Sequence, residues 1–380
     1  MTSTLTFQEV ANRLVGQMRA GRWHEIDAAF NELALDLFRL QFDAIPVYRR
    51  LCEARGRTPD VVTGWHEIPT VPTRSFKDQA WTSLAETEHT RVFHSSGTTF
   101  DRPSRHHHNA ASLAVYEASL TRWFARHLRP DAGEGADPRL LALTPSPGEA
   151  PLSSLVHMIG TVMEADRQRD GEEDRERFLA RVGTDGAWVL DTDRAIAALS
   201  AVADGAQPVC LLGTAFSFVH LLEALEGNWL RLALPKGSRV METGGYKGRS
   251  QELPRSDLHA WITARLGVAS AFIVCEYGMT ELSSQAYDHV AGDALPEAGR
   301  CFRFPPWARA RVVSMENGRE VAMGEVGLLE VFDLANVRSV LAVQTGDLAV
   351  RRAAGFELVG RAPEAEARGC SLMPTAGTVR

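Results

Sequence analysis

Lysine is nearly missing from this chain. Of its 41 basic residues only Lys77, Lys236 and Lys247 are lysine, and the rest are arginine. A lysine that persists against such a background marks a place where a compact ammonium serves better than a planar guanidinium. Cysteine is sparse too: Cys52, Cys210, Cys275, Cys301 and Cys370 are odd in number, scattered, and include no CxxC pair. That pattern speaks against a disulfide framework, a zinc ribbon or a redox dithiol, and reduced thiols are expected. There is no excess of positive charge; the formal net charge is -7, which argues against a surface built to neutralise a nucleic-acid backbone. No apolar run reaches the roughly 18 residues of a membrane span. The first residues lack the basic, apolar, small-residue progression of a secretory signal. A cytoplasmic enzyme working on small molecules or proteins is the expectation.

What is present suggests two units or one large one, since 380 residues at 44% hydrophobic can bury a large core. Val10, Leu14 and Met18, then Ile26, Phe30, Leu33, Leu37 and Leu40, repeat at helical spacing, so residues 1–90 read as a helical segment packed on a body. The run Pro69-Thr70-Val71-Pro72 must be extended, because each proline biases its predecessor away from helix. Over 91–298, short apolar strands at 140–143, 187–190, 209–212, 239–241 and 271–274 alternate with helical stretches, the pattern of a mainly parallel sheet covered by helices. Strands at 310–313, 326–332, 348–350 and 356–359 dominate the remainder, so 299–380 is expected to be a β-rich subdomain ending in a short tail. The charged stretch 166–177 reads as a solvated face. Incidental or structural roles are expected for His106-His107-His108, because consecutive side chains diverge on any regular element.

Four segments carry chemistry. Ser95-Ser96-Gly97-Thr98-Thr99, with Arg102-Pro103-Ser104 after it, can curl its amides and hydroxyls around an anion. Glu276-Tyr277-Gly278-Met279-Thr280-Glu281 follows an apolar strand and offers hard oxygen ligands in Thr280 and Glu281, suited to Mg²⁺ on nucleotide phosphates, with Tyr277 as a flat face for a base. Asp347, in Thr345-Gly346-Asp347, can accept from two ribose hydroxyls. Arg361, after Gly360, can reach ribose or phosphate.

In this order and spacing the four segments resemble the adenylate-forming superfamily of acyl and aryl ligases. Ile68-Pro69, Arg74-Ser75-Phe76-Lys77, Thr144-Pro145-Ser146, Ser153-Ser154-Leu155, Glu242-Thr243-Gly244-Gly245-Tyr246-Lys247-Gly248 and Arg368-Gly369-Cys370-Ser371-Leu372 are more narrowly similar to the acyl-protein synthetase family of the bacterial luciferase fatty-aldehyde pathway. The resemblance implies an α/β fold: the ligases' N-terminal-type body, parallel sheets covered by helices, with a smaller β-rich subdomain; the sequence departs from the superfamily in that the C-terminal lid domain, with its catalytic lysine, is expected to be absent. It implies ATP and Mg²⁺ as cofactors, a phosphate loop at Ser95–Thr99, an adenine and magnesium motif at Tyr277–Glu281, and ribose contacts from Asp347. Gly244 and Gly245 would lie along the acyl pocket, and Cys370 would accept the acyl group. Without a lid lysine, Lys247 becomes the candidate for neutralising charge at the α-phosphate.

The implied reaction joins a carboxylic acid, fatty or related, to AMP and passes the acyl group to a thiol, with an acceptor protein such as a reductase or carrier protein as partner. Coenzyme A, a carrier-protein thiol or an amine are alternative acceptors. A nucleotide-binding regulatory module is the non-enzyme alternative, against which the pair Thr280 and Glu281 argues, since an adenine pocket alone has no use for a metal site. A serine hydrolase is disfavoured because no GxSxG elbow surrounds Ser96.

Overall fold

The computed structural model describes residues 5–21, 27–95, 102–132, 137–170, 177–244, 253–296 and 299–362. The chain begins with α1 (Phe7–Ala20), α2 (Asp27–Ala44) and α3 (Pro46–Ala54). Thr6 and Glu9 close a reciprocal capping box at the start of α1, which satisfies amides that no helical carbonyl can reach. Proline opens α3, where its missing N–H costs nothing. The apolar spacing emerges as a buried face of Val10, Leu14 and Met18 on α1 and Phe30, Leu33 and Leu37 on α2, whereas Leu40 is half-buried. Ile26 lies outside the described residues.

Three short strands follow: β1 (Val71–Pro72), the extended pair expected from its prolines, then β2 (Arg91–His94) and β3 (Arg105–His108), an antiparallel hairpin. After α4 (Ala110–Leu128) come β4 (Arg139–Ala142), α5 (Ser154–Asp170), the antiparallel pair β5 (Ala180–Val182) and β6 (Trp188–Leu190), and α6 (Thr192–Ala203). The central sheet is completed by β7 (Val209–Thr214), α7 (Ala215–Gly227), β8 (Arg239–Thr243), α8 (Arg255–Leu266), β9 (Ile273–Tyr277) and β10 (Ala286–Tyr287). Its order is β10-β9-β8-β7-β4, with β4, β7, β8 and β9 parallel and β10 antiparallel.

Both faces of this sheet are covered, which is why its strands read as continuous apolar runs. Leu141, Leu211, Val240 and Ile273 pack against α6, α7 and α8, while their neighbours Leu140, Cys210, Met241 and Val274 pack against α4 and α5. The alternation is the two-residue period of a strand, used here to fill two cores. The expected strand at 187–190 proves to be β6, a member of the small pair and not of the parallel sheet. That at 271–274 starts only at Ile273, since residues 270–272 form a 3₁₀ turn.

The last strands, β11 (Ala308–Val313), β12 (Val326–Asp333), β13 (Ala342–Arg352) and β14 (Gly355–Arg361), form a second sheet in which β1 pairs parallel with β13. The N-terminal helices share one core with this sheet, from Val10, Phe30 and Tyr48 to Leu329, Val331 and Phe332. Gln41 of α2 fastens the two: its amide donates to Asn336 O at 2.8 Å and accepts from Leu341 N at 2.9 Å. No helix among the described residues is long and apolar enough to cross a membrane.

Asp166 and Arg177, the two ends of the charged stretch 166–177, depart from its solvated reading. Asp166 is buried and takes both terminal nitrogens of the buried Arg129, and Arg177 is enclosed as well. A hydrogen-bonded, oppositely charged partner makes such burial tolerable.

Asp333, at the end of β12, is a hub for the turn after β9. It accepts from Ser283 N at 2.9 Å, Ser284 Oγ at 2.8 Å and Ala335 N at 3.0 Å. Asp333→Ala leaves these buried donors without an acceptor and is expected to cost about 3 kcal/mol of stability, read as a lower denaturant midpoint. An unchanged midpoint would mean that the hub does not hold the turn.

Candidate active site

The hairpin β2–β3 is zipped at its loop end, where Ser95 N donates to Ser104 O at 3.0 Å and Ser104 N to Ser95 Oγ at 2.9 Å. Both ends of the Ser95–Ser104 loop are thereby fixed side by side. Ser96, Gly97, Thr98 and Thr99 lie outside the described residues, as do Gly245, Lys247 and Cys370.

His106, one residue into β3, joins this hairpin to the turn after β9: its Nδ1 lies 2.8 Å from Thr280 O. Burial drives its pKa down to about 4, so the ring is neutral at physiological pH. A carbonyl can only accept, and Nδ1 therefore carries the proton. Within the histidine triplet, His106 thus has a structural role and ties one motif to another.

Tyr277 ends β9 with its ring against Phe302, Phe304 and Phe356 at centroid distances of 5.9, 6.2 and 5.5 Å. Its hydroxyl donates to Asp347 Oδ2 at 2.8 Å. Burial and the adjacent Asp347 charge push the phenol pKa well up, which keeps that proton in place. Gly278 begins the turn, and a Cβ there would sit 2.4 Å from Glu276 Oε1. No larger residue fits without moving that carboxyl.

Asp347 and Arg361 face each other across β13 and β14, with Arg361 Nε 3.1 Å from Asp347 Oδ1. The Arg361 side chain is 82% exposed, and pairs in that setting add little to stability. A guanidinium held at an open rim is better placed to meet an anion. Glu281 is buried beside the Ser104 hydroxyl, Arg361 and Asp347; burial raises its pKa, Ser104 and Arg361 oppose this, and Asp347 adds to it. Thr280 is also buried, and Gly244 is exposed just beyond β8. Ser95, Ser104, Tyr277, Gly278, Thr280, Glu281, Asp347 and Arg361 thus gather from the hairpin, the end of β9 and the β13–β14 ladder. Such a place beside the carboxyl ends of parallel strands is where open α/β sheets receive ligands.

Several participants escaped the sequence reading. Asn336 Nδ2 donates to Glu281 O at 3.0 Å and to Val340 O at 3.1 Å, fixing the turn from the second sheet. His106 and Asp333 act similarly. Their signal was faint: a polar residue at the end of a strong apolar strand, as with Asp333, or inside a histidine run.

The same fold occurs in 2-hydroxyisobutyryl-CoA ligase. A crystal structure of that ligase in the postadenylation state with 2-HIB-AMP matches with a TM-score of 0.60 and 16% identity, over 88% of this chain and 67% of that one. Its structure with 2-HIB-AMP and CoA in the thioesterification state matches with a TM-score of 0.60 and 16% identity, over 89% and 68%. No curated protein matches the chain. The fold is that of an adenylate-forming ligase, and the family match agrees with it. The chain belongs to the acyl-protein synthetase family LuxE, whose family model matches residues 185–376.

Asp347→Ala removes one acceptor of the Tyr277 hydroxyl and the partner of Arg361 from a strand rim. If Asp347 binds the ribose, charge-assisted bonds worth about 1.5–3 kcal/mol are lost, and apparent ATP affinity is expected to fall on the order of 10- to 100-fold. An unchanged ATP KM in steady-state kinetics would remove Asp347 from the nucleotide site.

Proposed function

We propose that the protein uses ATP to convert a carboxylic acid to an acyl-adenylate and then passes the acyl group to a thiol, with Cys370 as the internal acceptor. The observation that carries this reading is the convergence of Ser104, Tyr277, Glu281, Asp347 and Arg361, drawn from three separate parts of the chain, into one cluster. Asp347 would hold the ribose, and the Ser95–Thr99 loop would cradle the phosphates. The substrate carboxylate attacks the α-phosphorus, the α–β phosphoanhydride bond breaks, and pyrophosphate leaves. The chain's task in that step is to position and to balance charge, because a carboxylate is already ionised at neutral pH. Lys247 is proposed to face the α-phosphate.

Among the described residues no group of three or more His, Cys, Asp or Glu side chains forms a metal cage. A Mg²⁺ ion riding on nucleotide phosphates needs only one or two protein oxygens, and the Glu281 carboxylate and Thr280 hydroxyl fit that demand. When bound, the ion would offset charge on the phosphates. In the second step the Cys370 thiolate, favoured by Arg368, attacks the acyl carbonyl and AMP departs with the bridging oxygen. A partner protein thiol or other nucleophile would then take the acyl group.

Hydroxamate trapping tests the reading. With ATP, Mg²⁺ and hydroxylamine, a panel of fatty, aryl and amino acids should give a hydroxamate with at least one acid class and none without ATP. Nucleotide binding without hydroxamate from any class would favour the regulatory alternative.

A further inference from the structure

The ends of β8, β9 and β10 hold a second set of buried polar groups that the nucleotide site leaves unused. Glu276 stands one residue before Tyr277, with Thr243 as its register partner on β8 and Tyr287 on β10. It is 4% exposed, and no ion-pair partner faces it among the described residues. Its Oε1 hangs over Gly278, where the Gln285 side chain also arrives, with Cγ 3.5 Å from a Cβ built on that glycine. Tyr287 OH and Gln285 Oε1 are enclosed, and neither finds a hydrogen-bond partner among the described residues.

Interiors seldom leave such groups unpaired, and exceptions gather where a ligand completes the set. The nucleotide is a poor candidate, because its proposed anchors, the Tyr277 hydroxyl, Asp347 and Glu281, are other groups. The acid is the better one: its carboxylate must reach the α-phosphate, so the rest of it has to extend from the nucleotide into the adjoining strand ends. A bare alkyl chain would leave Tyr287 OH and Gln285 Oε1 without a partner and Glu276 with its Thr243 hydrogen bond alone. The Tyr287 hydroxyl can either donate or accept, whereas Gln285 Oε1 and the Glu276 carboxylate only accept, so the missing partner must include a donor. Resting on the adenylation reading, we infer that the acid activated here carries a second, hydrogen-bond-donating group, amino or hydroxyl, received by Glu276, and is not the plain fatty acid that the family resemblance implies. Burial pushes the Glu276 carboxyl up to about 7, against a Thr243 hydrogen bond and with the nearby Glu242 charge. Near neutral pH it can therefore meet an amine as carboxylate or share a proton with a hydroxyl.

The test is acid-dependent pyrophosphate release with two matched series: benzoate, 3-hydroxybenzoate and 3-aminobenzoate, and octanoate, 3-hydroxyoctanoate and 3-aminooctanoate. Wild type should favour a donor-bearing member of one series by at least about 100-fold in kcat/KM, as expected where a buried polar group would otherwise lose its partner. Glu276→Leu should cut that preference at least about 10-fold while the KM for ATP stays unchanged. Tyr287→Phe serves as the second variant should E276L fail to fold, and should narrow the preference in the same direction. Equal or better use of benzoate and octanoate by wild type, or an unaltered preference in the variants, would overturn the inference and leave acid activation standing. No pyrophosphate from any of the six acids would overturn both.

Discussion

Glu281→Gln is expected to reduce acid-dependent pyrophosphate release on the order of 100-fold or more while leaving the protein at least as stable as wild type. The two halves of this expectation have one cause. The Glu281 carboxyl is held in the interior with its pKa raised by burial. A carboxyl whose folded pKa lies above its unfolded value favours the folded state when protonated, and the fold loses stability as pH rises through that interval. Above that interval the carboxyl is therefore a burden on the fold, one that a neutral amide of the same shape removes. If Glu281 supplies the charge that holds a divalent cation on the phosphates, its loss removes several kcal/mol of stabilisation from the transition state, and excess Mg²⁺ should restore only part of the rate. Paired thermal midpoints and single-turnover pyrophosphate release check both halves. A lower midpoint with normal release would make Glu281 a structural residue.

Cys370→Ser is expected to abolish covalent acylation while sparing activation. A serine hydroxyl is essentially un-ionised at neutral pH and far weaker as a nucleophile than a thiol. With radiolabelled acid, ATP and Mg²⁺, wild type should retain label through denaturing electrophoresis and lose it to neutral hydroxylamine, as a thioester does. The variant should release pyrophosphate in one turnover and retain no label. A variant that labels like wild type, or a wild type that never labels while coenzyme A or an amine is consumed, would move acyl transfer away from Cys370.

Much of the parallel sheet was legible because strands covered on both faces are apolar throughout, as at 209–212 and 239–241. The four motifs were legible because Ser/Thr-rich, Thr-Glu and Gly-Asp sequences beside apolar runs are chemically conspicuous, and the structure brings the described parts of them together, with Thr345-Gly346-Asp347 inside β13 and not in a turn. What the local pattern could not convey was partnership across the chain. Nothing near Val71-Pro72 names β13 as its neighbour, so the sharing of a core between the N-terminal helices and the second sheet was invisible. Asp166 read as solvated because charge normally seeks water; the distant Arg129 helps make its burial tolerable. The segment 187–190 has the composition of a buried strand and yet pairs only with β5, a choice made by tertiary packing. His106 carried no signal within its triplet, since the feature that defines it is a carbonyl on the turn after β9.

The central claim is that the acid's carboxylate attacks the α-phosphorus of ATP, and following oxygen tests it most directly. An accepted acid carrying ¹⁸O in both carboxylate positions is incubated with enzyme, ATP and Mg²⁺, and the nucleotide products are weighed by mass spectrometry. Through an acyl-adenylate, AMP must appear with one ¹⁸O, because the bridging oxygen leaves with phosphorus when the acyl group moves on. Unlabelled AMP, or ADP formed together with ¹⁸O-labelled phosphate, would contradict the account.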